Sequence, residues 1–169
     1  MPAFKCVRAV PADARTLGRL HSLCWRKAYR GIIPEEYLAK FTEEKRTAFF
    51  VRILPMETGE TYLLYVDDEA VGLLGLGKAH DEEVPPSTGE IHALYLLSPY
   101  WSKGFGKAAM DFAMERLRML GYDRATLKVL TENGRARQFY ARYGFVPGGE
   151  EEPITLGREL MELRYEMSL

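Results

Sequence analysis

Gly104 and Gly106, set between Lys103 and Lys107 and running straight into a segment of helical periodicity, have the types and spacing of a phosphate cradle. The backbone N–H groups of Ser102, Lys103, Gly104, Phe105, Gly106 and Lys107 open a helix whose dipole is positive at that end, an arrangement that binds an anion of any origin. Glycine at 104 and 106 lets the main chain approach a bulky pyrophosphate without a Cβ in the way. Lys103 and Lys107 add charge, and Arg135 and Arg137 at the start of the next helix are a further source. The alternative is that the glycines close a tight turn and the lysines are solvated; the loop alone leaves these two readings level.

Two nucleotide motifs compete for the same loop. A nucleotide P-loop needs GxxxxGK followed by Ser or Thr to hold magnesium, but Lys107 is followed by Ala108. Residues 104–109 match the dinucleotide pattern GxGxxA, with Glu132 available as the ribose acid. That fingerprint should turn directly out of the first strand of a βαβ unit, whereas SPYWSK separates Leu97 from Gly104 and several elements precede it.

Composition narrows the remaining chemistry. The chain has 169 residues, 47% hydrophobic and 28% charged, with a formal net charge of -1. These values suit one domain, residues 1–169, with a single substantial core, and no overall basic field points to nucleic acid. MPAFKCVRAV lacks the apolar run of a signal peptide, and no segment approaches a membrane span, so no membrane partner and a cytoplasmic location are expected. Cys6 and Cys24 are too few and too far apart for a Cys-rich metal site. His21, His80 and His92 have no ligand spacing, so no metal is expected.

The elements that must position the loop follow from periodicity. Residues 4–10 read as a strand ended by Pro11, and Asp13 is placed to cap a helix with Ala14, Leu17, Leu20, Cys24 and Ala28 on one face. Pro34 suits the first turn of a short helix, and Thr42 caps another that runs to about Leu54. Residues 61–66 and 70–80 form a hairpin, with Gly72 and Gly75 as bulge candidates. EIHALYLL (90–97) is a nearly continuous apolar strand. Positions 105, 109, 112, 113, 117 and 120 make a helical stripe, residues 124–130 a strand, and Asn133 caps a helix that Gly144 closes. FVPGG and ELMELRYEM supply the last strands. The order β, helices, β, β, β, α, β, α, β, β gives an α/β (α+β) mixed sheet rather than a doubly wound one.

GEIHALYLLSPYWSKGFGKAAMDFAMERLRMLGYDRATLKVLTENGRARQFYARYGF, residues 89–145, resembles the central region of the GNAT superfamily of acetyl-CoA-dependent N-acetyltransferases. In that family the loop is written (Q/R)xxGx(G/A), matched here by residues 101–106; Trp101 departs from the usual Gln or Arg, and Ser102 replaces a common Gly. NGRARQFYARYGF resembles the second signature, whose Asn falls at Asn133, approaching the pantetheine, and whose Tyr falls at Tyr140, near the thioester sulfur. The resemblance implies a mostly antiparallel sheet splayed between the fourth and fifth strands. Main-chain groups of Leu94, Tyr95 and Leu96 would then receive the pantetheine amides as a pseudo-strand. It further implies acetyl-CoA or coenzyme A as co-substrate and direct attack in a ternary complex. A homodimer is common in that family.

Such a reaction needs a base, because an acceptor ammonium with a pKa near ~10 cannot attack until a proton leaves. Glu90 lies eleven residues before Trp101, which resembles the spacing of the catalytic glutamate in histone-acetylating members. Glu90 and His92 share strand parity, so Glu90, directly or through water, and His92 are both candidates. A solvated strand-end carboxylate is the alternative for Glu90, and a packed side chain for His92. A backbone N–H near Leu96 is the natural oxyanion donor, and Tyr140 a candidate acid for the departing thiolate. CWRKAYRGIIPEEYL (24–38) looks like the acceptor wall of bacterial small-molecule members, including polyamine acetyltransferases. Trp25, Tyr29 and Tyr37 would offer aromatic faces to a cation, and Asp81, Glu82, Glu83 and Glu90 a negative field. The acceptor expected is therefore a primary amine of a small molecule, polyamine-like, or of a peptide. A catalytically silent acyl-CoA-binding module on the same fold is the rival reading.

Overall fold

A computed structural model describes residues 2–169. Strand β1 (Phe4–Arg8) leads through a tight turn at Pro11–Asp13 into helix α1 (Ala14–Ala28), followed by α2 (Glu35–Leu38) and α3 (Glu43–Ile53). Strands β2 (Glu60–Val66), β3 (Glu69–Lys78) and β4 (Thr88–Leu96) come next, then α4 (Phe105–Met119), β5 (Arg124–Leu130) and α5 (Gly134–Tyr143). Strands β6 (Val146–Pro147), β7 (Glu152–Thr155) and β8 (Glu159–Ser168) close the chain.

Several expected boundaries move. The first strand ends at Arg8 because Pro11 opens the turn, where the Asp13 carboxylate accepts the Val10 N–H at 2.8 Å instead of capping α1. Thr42 does cap α3, its Oγ1 accepting the Lys45 N–H at 3.2 Å. Three strands, not two, follow α5. The extra one, β7, is a four-residue edge strand containing Pro153, too short and too exposed to leave an alternating pattern.

The strands form one sheet in the order β1-β2-β3-β4-β5-β8-β6, with β7 also on β8. Every pairing is antiparallel except β4 with β5. That parallel ladder joins only Thr88–Glu90 to Arg124–Thr126. Among the described residues, nothing pairs β4 with β5 beyond Glu90, so the sheet opens there into the expected splay. On its other edge β4 stays registered with β3, except that Ala93 faces Gly75 while Ile91 faces Leu76. His92 is therefore the extra residue of a bulge, which re-aims the side chains around it. A second bulge sets Val71 beside Gly72.

Helices cover both faces. Ala109, Met110, Ala113, Met114 and Leu117 of α4 pack on Leu64, Leu74, Leu76, Ile91 and Leu127, while Ala14, Leu17, Leu20 and Phe50 of α1 and α3 pack on Leu63 and Leu73. The α4 stripe is rotated from the expected one toward Met110 and Met114, leaving Leu120 42% exposed. Helices α1 and α3 touch closely at Gly18, where a Cβ would lie 2.7 Å from the Thr47 Cα. Among the described residues no helix is long and apolar enough to cross a membrane.

Candidate functional site

The anion loop is a backbone construction. Ser102 and Gly104 both take positive φ, 58° and 88°, which turns the chain sharply before α4. A Cβ on Gly104 would meet nothing within 4 Å, so glycine is required there by its φ; a Cβ on Gly106 would press the Phe139 ring at 3.3 Å. The first donor to the α4 ladder is Ala108, whose N–H reaches the Gly104 carbonyl at 3.1 Å. Among the described residues, the N–H groups from Ser102 to Lys107 have no acceptor, so six donors are left open at a helix start.

Side chains sort differently from expectation. Ser102, Gly104, Gly106 and Lys107 line a cavity of about 480 Å³ with Arg135. Lys103 is exposed and does not line it, and Phe105 turns its ring onto Phe4. Lys107 is held by Asp111 at 2.8 Å, and the Tyr143 hydroxyl donates to the same carboxylate at 2.7 Å. Arg137 bonds the Thr131 carbonyl and the Tyr165 hydroxyl, away from the loop.

Trp101, the departure from the (Q/R)xxGx(G/A) pattern, has a definite role here. Its Nε1–H donates to the Leu96 carbonyl at 2.8 Å, and the Arg135 guanidinium lies over its ring, 3.5 Å from the centroid. The indole thus anchors the loop to the end of β4 and holds a cation in the groove. It also engages Leu96 O, one of the main-chain groups expected to be free.

The loop cavity runs into a second one inside the splay; Leu94, Leu96, Trp101, Arg135, Ala136 and Tyr140 line both. This inner space, about 350 Å³, is walled by β4 from Ile91 onward, by Leu127–Val129 of β5, by Asn133, and by Tyr29 of α1's end. Asn133 caps α5, its Oδ1 accepting the Ala136 N–H at 3.3 Å. Burial pushes the Tyr140 phenol well above its ordinary pKa, with the Tyr29 hydroxyl adding to the rise, so Tyr140 keeps its proton. Tyr29 and Tyr95 share a hydroxyl hydrogen bond of 2.9 Å.

Glu90 is 7% exposed, which removes the solvated strand-end alternative. Its Oε1 accepts the His80 backbone N–H at 3.1 Å; its Oε2 lies 3.8 Å from His80 Nδ1 and 4.0 Å from His92 Nε2. The two imidazoles stack, 4.3 Å apart and 5° from parallel. His92 Nε2 also sits 3.0 Å from the Lys78 carbonyl. A carbonyl only accepts, so that nitrogen carries the hydrogen. Burial lowers the His92 pKa, against the opposing charge of Glu90, which leaves the ring neutral near pH 7 with its Nδ1 lone pair free. Glu90, His80 and His92 come close enough to surround a cation, but a protonated Nε2 committed to a carbonyl is no ligand.

A third cavity lies across β4 from the splay, between the sheet and α1 and α3; His92, Ala93 and Tyr95 line both spaces. His80 and His92 line it, while Glu90 does not. Trp25 lines this cavity with one face of its indole covered by Phe41, stacked at 3.9 Å, and Tyr29 on its edge, while Tyr29 itself lines the space inside the splay. Asp81 is bound by Arg164 at 2.7 Å and, with Glu83, lines a separate recess beside Glu150–Glu152. His80, Arg46 and His21, which line the third cavity, carried no signal in the sequence beyond their residue types.

The model of the acetyltransferase (GNAT) family matches residues 32–145. This chain belongs to the GNAT family. Its expected fold is likewise that of solved GNAT structures: the PaiA N-acetyltransferase of Thermoplasma acidophilum in complex with coenzyme A superimposes with a TM-score of 0.72 at 22% identity, covering 99% of each chain. An acetyltransferase from Thermus thermophilus gives a TM-score of 0.75 at 20% identity, over 99% of this chain and 97% of that one. In sequence, the GNAT chain is 36% identical over 99 residues to the mycothiol acetyltransferase of Beutenbergia cavernae, covering 56% of itself and 33% of that protein. It is 38% identical over 85 residues to an uncharacterized N-acetyltransferase from Lactobacillus delbrueckii subsp. lactis, 49% of each chain. The GNAT chain thus spans half or less of the length of these two relatives.

Proposed function

We propose that this protein transfers the acetyl group of acetyl-CoA to a primary amine of a small molecule or peptide, by direct attack in a ternary complex. The observation that carries the reading is the continuous groove from six unpaired N–H groups at the start of α4 to the open edge of β4. A pyrophosphate suits the first end, with Arg135 above Trp101 and Lys107 as its countercharges. The pantetheine suits the second, where Leu94 and Tyr95 offer main-chain groups and Asn133 and Ala136 wall the path.

The chemistry proceeds at the bulge, where the groove and the third cavity meet. The acceptor ammonium gives one proton to Glu90 through a water, since Glu90 lies behind the imidazoles and the His92 Nε2–H is held by the Lys78 carbonyl. The amine then attacks the thioester carbonyl carbon: a C–N bond forms, the carbonyl π pair moves to oxygen, and a β4 backbone N–H near Leu96 stabilises that charge. On collapse the C–S bond breaks, and the second nitrogen proton ends on the sulfur. Tyr140, its phenol pushed far above the ordinary thiol range of ~8.5, acts by donating a hydrogen bond to the sulfur rather than by surrendering its proton outright.

Coenzyme A at about a hundredfold its Kd should raise Tm by roughly 5–10 °C, and NADH should not. Release of coenzyme A should then depend on an added amine. Binding without turnover for any amine would leave a silent binding module, and preference for NADH would remove the cofactor assignment itself.

A further inference from the structure

We propose that the acceptor carries an oxyanion, a carboxylate in its smallest form, which Arg46 and His21 bind in the cavity between the sheet and helices α1 and α3. The proposal rests on the acetyl-transfer reading above and names the substrate class.

The cavity, about 490 Å³, is the size of a small-molecule site. Two polar atoms in its lining residues are buried and bonded to nothing: Arg46 Nε and His21 Nδ1. Both atoms are closed off from the cavity itself, which leaves the Arg46 Nη groups and His21 Nε2, engaged by no hydrogen bond or ion pair among the described residues, as the nitrogens open to a ligand. Arg46 is held between two rings, 4.6 Å from the Phe41 centroid and 4.2 Å from that of Phe49, which fixes the guanidinium plane. Among the described residues it forms no ion pair. The one carboxylate lining this cavity, Glu60, is already engaged by Arg116 at 2.6 Å and Arg8 at 3.2 Å. The positive charge of Arg46 is therefore left for a ligand.

His21 completes the donor set. Burial and the neighbouring Arg46 hold its pKa down to about 3, so the ring is neutral and presents Nε2–H to an incoming oxygen in the matching tautomer. A planar carboxylate suits the Nη edge of a guanidinium, with the His21 Nε2–H as a further donor. The opposite wall is the β4 bulge, with Glu90 behind His80 and His92. One molecule would thus put its amine at the bulge and its anion at α3. A polyamine would instead press an ammonium against Arg46.

Steady-state kinetics with an acetyl-CoA donor test this on amino acids of increasing chain length, their carboxamides, the matching aminophosphonates, and spermidine. The expected result is a kcat/KM about 10- to 100-fold higher for an amino carboxylate than for its carboxamide, a ratio that falls to near one in Arg46→Gln and is partly restored in Arg46→Lys. Aminophosphonates outperforming carboxylates would name the larger oxyanion as the natural one and still support the site. Equal or better turnover of carboxamides or spermidine, or an equal loss for both substrates in Arg46→Gln with native circular dichroism, would overturn the proposal while leaving acetyl transfer intact. Absence of turnover with every amine would overturn both.

Discussion

Glu90 and Tyr140 divide the work at the level of single residues, and their substitutions should leave different kinetic marks. Glu90→Gln keeps an oxygen for the His80 N–H, so the loop stays in place while the base is lost. The expected loss in kcat is about 10²- to 10⁴-fold at pH 7, shrinking as pH rises toward the acceptor's own pKa near ~10, where the amine needs no base. His92→Asn should cost less and leave the shape of that pH profile unchanged; the reverse ranking would make His92 the base. Tyr140→Phe should lower kcat with little change in coenzyme A affinity, and an unchanged kcat would remove Tyr140 from the mechanism. These two residues carry chemistry-bearing types at telling positions, which is why both are candidates from sequence. Arg46 is not. In EEKRTAFF it reads as one more charge on a solvated helix face, and only the docking of α3 on α1 turns it toward a cavity.

That docking depends on one element contact. Gly18 of α1 lies against the Thr47 backbone of α3, and Thr47 is the neighbour of Arg46. Gly18→Ala forces a methyl to 2.7 Å from the Thr47 Cα, so α3 must move out or the pair must separate. The expected cost is about 1–3 kcal/mol in urea unfolding, despite alanine's better helix propensity. KM for the acceptor should rise while coenzyme A affinity holds, because the anion loop sits on the other side of the sheet. A stabilised variant with unchanged KM would show that α3 is free to adjust. The same scale explains what the sequence discloses. Long amphipathic helices and the Gly-rich turn before α4 are local patterns, so order and type of most elements are legible, as is the resemblance of residues 89–145. The bulge at His92 and the strand Glu152–Thr155 are not, because pairing with distant partners, not local preference, creates them.

Across the whole molecule, Glu60 ties three parts of the fold together. It sits at the start of β2, is held by Arg8 of β1 at 3.2 Å and by Arg116 of α4 at 2.6 Å, and also accepts from the Tyr62 hydroxyl. The Arg116 hydrogen bonds, with those of Tyr62 and the charges of both arginines, outweigh burial and hold its carboxyl down at about 2. The folded pKa lies below the unfolded value of ~4.3, so this contribution to stability is fully present above that pH and is lost as pH falls toward 2. Glu162, whose carboxyl burial raises, runs the other way: its ionisation opposes the native state as pH rises. The stability gap between the wild type and Glu60→Gln, read from urea midpoints, should therefore be widest at pH 6–7 and close progressively between about pH 4.5 and 2. If the two proteins lose stability in parallel through that window, other carboxylates govern the acid transition and the β1–β2–α4 junction is held by packing alone.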